Sequence, residues 1–437
     1  MTLPDREGLS RREYVKSLVA VGGAGALAAC LGDGDGTDIP TGTDAIDELP
    51  AGQHEWNSFF EEDEHGNVRL PRHHVLAYLE LDGEPTDSDR ETVESALQTL
   101  ERAYEWSNEG LVFTIGYSPS YFDRYDESLP ETVDLPAPTS LTSLETLDED
   151  DLDTYDALVH FASDEPVALL EAELAMFGES DQLSGSDAEP RDTNADTVNG
   201  IPVEDRLSDV FDLADRRTGF FGAGLPTENT GATGIPDDYP IPEEAPMFMG
   251  FRGRFKQSQP TEERVTIQDG PFAGGTTQHV SKIRQQLDQW WEQDSQAVRV
   301  AKMFSPTHER EDRVGEYGEK FTDSSEIEDV VEDTESDASS GMVGHAQKTA
   351  RAREDGSPII YRRDFDTTDD DIAGLHFVSL QREIEDFVTT RDAMTGADLP
   401  IGSILNNGIL QYISVRRRGN FLIPPRAHRA LPSPRPE

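Results

Sequence analysis

Two stretches of this sequence alternate strand and helix periods, and that alternation restricts the fold more than any other feature. In the first, residues 74–81 read as a strand. Val93, Ala96, Leu97, Leu100 and Tyr104 then recur at helical spacing behind a cap offered by Asp87-Ser88-Asp89. Residues 111–117 and 157–161 are two more strands, and Pro166 starts a helix carrying Val167, Leu170, Leu174 and Phe177. Strand, helix, strand, strand, helix is the order of a ferredoxin-like unit. In the second stretch, residues 247–251 read as a strand, and Val280, Ile283, Leu287, Trp290 and Trp291 share a helical face. Residues 375–380 form a strand, and Ile384, Phe387, Val388 and Arg391 continue as a helix. Two such units in series predict an α+β protein of duplicated ferredoxin-like halves, residues 72–190 and 191–430, although no internal sequence repeat is readable.

Charge narrows the setting. The 437 residues hold 88 acidic and 37 basic side chains, a net charge of −51. No basic face remains for nucleic acid. The acid is dispersed along the chain and arginine largely replaces lysine, which reads as a halophilic surface. Strong salt screens such charge within roughly 3 Å at 1 M. With 35% apolar residues in periodic runs, the chain has the material for a core.

The first 29 residues resemble an export signal. Ser10-Arg11-Arg12-Glu13-Tyr14-Val15-Lys16 matches a twin-arginine motif, and the apolar run 18–29 is shorter than the ~20 residues of a spanning helix. It ends in Leu27-Ala28-Ala29-Cys30, which resembles a lipobox. Cys30 is the one cysteine of the chain, so it reads as a lipidation site and leaves no disulfide. The alternative is a plain cleaved signal with an incidental cysteine. Residues 30–71, rich in Gly, Asp and Thr at first, then form a flexible acidic tether.

Residues 178–200 read as a linker or long surface excursion, and the serine-rich acidic insertion 322–341 as a mobile loop. The runs Asp148-Glu149-Asp150-Asp151 and Asp369-Asp370-Asp371 lack calcium-loop spacing and read as solvated surface. No pair of histidines has the spacing of a zinc site.

Gly344-His345-Ala346, a polar loop, then Ile359-Ile360-Tyr361-Arg362-Arg363-Asp364 resembles the haem pocket of the dye-decolorizing (DyP-type) peroxidase family. Four other pieces keep that family's order: residues 111–123, Gly274–His279 with Ile283-Arg284, Leu375–Arg382, and Phe421–Pro425. The resemblance spans about residues 73–427. It implies a dimeric α+β barrel of two ferredoxin-like halves, with haem b in the second. It implies His345 as the axial ligand of the haem iron. Arg363 would be the catalytic charge on the opposite face or a propionate partner, with Arg362 and Arg284 as weaker propionate candidates. Should His345 not be the ligand, His279 is next in line. One motif departs from the family's pattern: in Gly219-Phe220-Phe221-Gly222-Ala223-Gly224, Gly222 stands where the family carries an aspartate above the haem. The glycines there allow close backbone approach to the cofactor. Three readings stay open. One is a haem peroxidase using hydrogen peroxide and an unknown electron donor. Another is a haem-binding or haem-iron-handling lipoprotein on the outer face of the membrane. In the third, the fold persists without haem. A homo-oligomer is also left open.

Overall fold

The computed structural model describes residues 39–139, 147–178 and 196–437. The export segment, Cys30 and most of the expected excursion at 178–200 lie outside the described residues. The first half comprises β1 (His73–Glu80), α1 (Asp87–Ala103), β2 (Val112–Tyr117), β3 (Ala157–Ser163), α2 (Pro166–Phe177) and β4 (Asp212–Phe220). Its antiparallel strand order is β4-β1-β3-β2. Helix α1 starts where a capping box fixes it. The Thr86 hydroxyl accepts from the Asp89 backbone N–H while the Asp89 carboxylate accepts from that of Thr86.

The second half has the same plan with a long insertion. It comprises β5 (Thr276–Gln285), α3 (Leu287–Gln293), α4 (Gln296–Met303), α5 (His345–Thr349), β6 (Phe365–Thr367), β7 (Gly374–Gln381), α6 (Ile384–Thr395) and β8 (Ile413–Ile423). The order is β6-β7-β5-β8, and Tyr361–Arg362 extends the β6 edge along β7. Leu422 of β8 pairs with Tyr117 of β2, and Asp366 of β6 pairs with Phe220 of β4. These two contacts close eight strands into one antiparallel barrel. The expected duplicated ferredoxin-like α+β fold is therefore present.

Strand alternation sorts the side chains. Leu76, Tyr78, Leu158, Val280, Phe365, Val378 and Phe421 meet inside the barrel. On the outside of the first half, Val75, Ala77, Phe113, Ile115, Val159 and Phe161 pack against Val93, Leu97 and Leu100 of α1 and Ala172 and Met176 of α2.

Several expected elements differ. Val280 and Ile283 belong to a strand, and the helix begins only at Leu287. The β-branched Thr276-Thr277 start and the pairing of β5 with both β7 and β8 override the apparent helical period. Residues 247–251 form no strand: Gly250 turns at φ +85° against the Trp291 ring. From residue 39 on, the expected tether is packed structure. Trp56 is fully buried, and the Gln53 amide donates to the carbonyls of Ile115 (3.2 Å) and Pro424 (2.9 Å). The insertion 322–341 is folded into a 3-10 segment (Ile327–Asp333) and a helix (Thr334–Ser340), with Ile327 and Val330 buried. Asp369 is not solvated. It accepts from the Thr218 N–H (2.9 Å) and lies 3.0 Å from His376 Nε2, and these partners hold its carboxyl down at about 2 against its burial.

Candidate functional site

The helices of the second half stand away from the sheet and leave a cavity of about 270 Å³. The sheet wall carries Ser281, Ile283 and Gln285 of β5, Leu375 and Phe377 of β7, and Arg418 of β8. The helix wall carries Phe304, Ile327, His345, Phe387, Arg391 and Met394. Ile359, Ile360, Arg362 and Asp364 form one rim. Most of the wall is apolar. Its charged groups are six arginines (Arg252, Arg254, Arg353, Arg362, Arg391 and Arg418) against one carboxylate, Asp364. Of these, Arg252 pairs with Asp63 and Arg353 with Glu328 behind the wall, and Arg254 with Asp364.

His345 opens the short helix α5. Gly344 before it lets the chain cross the end of α4: a Cβ there would lie 1.7 Å from the Phe304 carbonyl oxygen. Gln347, fully buried, donates to the Val330 carbonyl (2.9 Å) and to Asp337 Oδ2 (2.8 Å), so the folded insertion fixes the helix from behind. Nδ1 of His345 is buried without a partner, and no hydrogen bond reaches Nε2 from any described residue. Burial, followed by the charges of Lys348, Arg362 and Arg391, brings its pKa to about 3. The ring is thus neutral and its lone pair free, as ligation requires. Among the described residues no group of three metal-ligating side chains occurs.

Arg362 lines the cavity and makes no salt bridge to any described residue, which leaves it available to an anion. Arg363 points the other way, as strand alternation requires. It is buried, donates to the His54 carbonyl (2.6 Å) and Glu262 Oε1 (2.8 Å), and lies over the Trp56 ring at 3.9 Å. The expectation that Arg363 reaches the cofactor is therefore corrected: of the adjacent pair, Arg362 is the one that lines the cavity. Arg284, expected on a helix, is on β5 between Ile283 and Gln285, which line the cavity, so it faces away from the cavity. Gly222 is in the turn after β4 with φ +133°, its N–H donating to the Pro246 carbonyl, and it is not on the wall. His279 is engaged on both nitrogens, with Asn420 Oδ1 and Ser281 Oγ each at 2.7 Å, and has no lone pair to spare. The sequence reading missed Arg254, Asp364 and Arg418. Asp364 was within reach: on an extended strand it must share a face with Arg362.

A closed barrel of two ferredoxin-like halves, with a cationic, apolar-walled cavity on the second, defines a DyP-type α+β architecture. The chain itself belongs to a family of unknown function (DUF7405), whose model matches residues 71–425. No curated protein matches it in sequence. Among solved structures it is similar to a DyP-type peroxidase from Streptomyces coelicolor (TM-score 0.51, 18% identity, 84% of this chain and 94% of that one). It is also similar to DtpA from Streptomyces lividans, solved as an oxyferrous complex (0.51, 17%, 84% and 95%). A DypB variant from Rhodococcus jostii, solved in complex with haem, is a further neighbour (0.48, 13%, 82% and 95%). At these identities the likeness concerns the fold.

Proposed function

We propose that this protein binds haem in the second-half cavity with His345 as the iron ligand, and that it is a peroxidase passing electrons from a donor to hydrogen peroxide. The observation that carries the reading is the neutral His345 ring, without a hydrogen-bond partner, on the wall of an apolar cavity whose cations outnumber its anions six to one. Haem is a flat apolar ring with two carboxylates, and it supplies redox-active iron when bound. The apolar walls suit the ring, and Arg362, without a salt bridge to any described residue, suits a carboxylate. Attachment is non-covalent, as in haem b, because thioether links need a Cys-x-x-Cys-His motif and the chain has only Cys30. His345 holds the iron, and the apolar wall keeps bulk water out.

A second reading is haem binding or haem-iron handling with little turnover. One feature favours it: His345 Nδ1 has no acceptor to raise the donor strength of the ring. In either case we propose twin-arginine export of the folded, loaded protein and a lipid anchor at Cys30 on the outer face of a halophile's membrane. No helix among the described residues is long and apolar enough to cross a membrane.

The test is the absorption spectrum of protein produced with haem available. A Soret band that is present in wild type and lost or displaced in His345→Ala supports the ligand. A spectral response to peroxide supports the peroxidase, and a haem band indifferent to peroxide supports the second reading. No haem band in wild type removes both.

A further inference from the structure

We infer that Asp364 is the proton-transfer group of this cavity, the carboxylate that receives the proton of a protic ligand as it enters. The inference rests on the haem reading.

Asp364 is the only carboxylate among the lining residues. The chain around it alternates: Arg362 and Asp364 line the cavity, while Tyr361, Arg363 and Phe365 do not. Oδ2 of Asp364 is 3.5 Å from Arg254 Nη2. Its Oδ1 and the Nη1 of Arg254 are both buried with no hydrogen-bond partner. A buried acceptor and a buried donor left open on one ion pair form a matched set. An acid HX can give its proton to the carboxylate while its conjugate anion accepts from the guanidinium. With hydrogen peroxide, one O–H bond breaks, the proton goes to Asp364, and the electron pair stays on a hydroperoxide anion beside Arg254.

The location agrees. The Arg254 guanidinium lies 3.7 Å from the centre of the Phe221 ring, so the pair sits beside the glycine turn that contains Gly222. A carboxylate delivered from the β6 edge thus reaches the neighbourhood of the one that turn lacks. The other charged or titratable groups around Arg254 are Arg362, Asp366, Tyr361 and His74, the last off the wall. Asp366 is no rival. Burial drives its carboxyl far above the usual range, it accepts from the Phe248 N–H, and it is off the wall.

The experiment compares two ligands on the haem-loaded protein. Cyanide enters as HCN and must lose a proton, whereas carbon monoxide, offered to the reduced form, carries none. Asp364→Asn should slow cyanide association by on the order of 10²-fold and leave carbon monoxide association and the Soret band unchanged. Asp364→Glu should recover most of the cyanide rate. Asp364→Ser gives the same test if the Asn variant does not fold. Cyanide association within about threefold of wild type, far below that acid–base contribution, overturns the inference. Equal slowing of both ligands overturns it too, since access rather than proton transfer has then changed. A wild type without a Soret band instead defeats the haem reading beneath it.

Discussion

The two halves of the barrel follow one plan and differ in what lies between sheet and helices. In the first half that space is solid: all seven residues of β3 are buried, and Phe113, Phe161, Leu97 and Met176 fill the gap to α1 and α2. In the second half the corresponding strand β7 leaves Leu375 and Phe377 only half-buried, on the wall of a cavity. A ferredoxin-like half closes without a cavity, as the first shows. The hollow of the second is an addition, made by inserting residues 287–349 where the first half has one crossover helix. Apolar surface left uncovered inside a fold forfeits hydrophobic and dispersion stabilisation, so a cavity of this size points to a ligand that covers it.

The sharpest way to break this comparison is to remove the ligand site alone. His345→Ala should abolish tight haem binding while the apo protein keeps its fold and melting temperature, because the ring makes no hydrogen bond that its loss would orphan. Haem titration followed by absorbance, with circular dichroism alongside, checks both parts.

The second test exchanges size for space in the two halves. Phe161→Ala in the solid half should cost ~3–5 kcal/mol, as large-to-small core changes do. Phe377→Ala on the cavity wall should cost about 1 kcal/mol or less in the apo protein, since much of that ring already faces open space. Denaturant unfolding in high salt would measure both, and equal losses would mean the cavity is collapsed in solution. The adjacent arginines divide in the same way. Arg363→Leu should destabilise by ~3–5 kcal/mol because it leaves the Glu262 carboxylate unpaired. Arg362→Leu should leave stability nearly unchanged and weaken haem binding.

What was legible follows from these physical differences. In the first half β1, β2, β3 and both helices were readable from their apolar runs, whereas β4, mostly half-buried and beyond the expected boundary at residue 190, was not. The second half hid β5. β5 pairs on both sides, and its Val280 and Ile283 happen to fall at helical spacing with Leu287 of α3, so the period misled. Residues 39–71 looked like a tether by composition, yet Gln53 and Trp56 are fixed by contacts more than fifty residues away along the chain, which no local pattern displays. His345 was legible through its resemblance to a known pocket. Arg363 was preferred over Arg362 through the same resemblance, and the two-residue alternation of the strand decides otherwise. The pairing of Arg254 with Asp364 joins residues 110 apart in sequence and was beyond reach.

Acid should erode the fold with a predictable sign. His54, His160 and His345 are brought to about 3, and His74 is lowered well below its usual value, each chiefly by burial. Groups whose folded pKa is depressed below an unfolded value near 6.5 contribute their stability above pH 6.5 and lose it as pH falls toward 3, by up to ~1.4 kcal/mol per pH unit each. Asp164, pushed up to about 6 by burial, and Asp366, Glu262, Glu165 and Asp386, also raised chiefly by burial, work in the opposite direction, but they are outnumbered once His73, at about 4, and His308 and His376, also lowered by burial, join those four histidines. Unfolding free energy measured from pH 7 to 4 should therefore fall, and less steeply in His345→Ala. A flat profile would mean that these rings are hydrated.

The smallest effect concerns Gly222, where sequence comparison suggests that Gly222→Asp would restore a missing carboxylate. The turn argues against restoration. At φ +133° a side chain is strained whatever space surrounds it, and a Cβ there would meet Arg72 Nη1 at 3.4 Å rather than the cavity. The new carboxylate would pair with Arg72 outside the wall. The expected outcome is a modest destabilisation of ~1–2 kcal/mol, with haem spectrum and cyanide association unchanged. If Gly222→Asp instead accelerates cyanide association, the turn can carry a carboxylate into the cavity. The proton-handling site then belongs to β4 of the solid half as much as to the β6 edge of the hollow one.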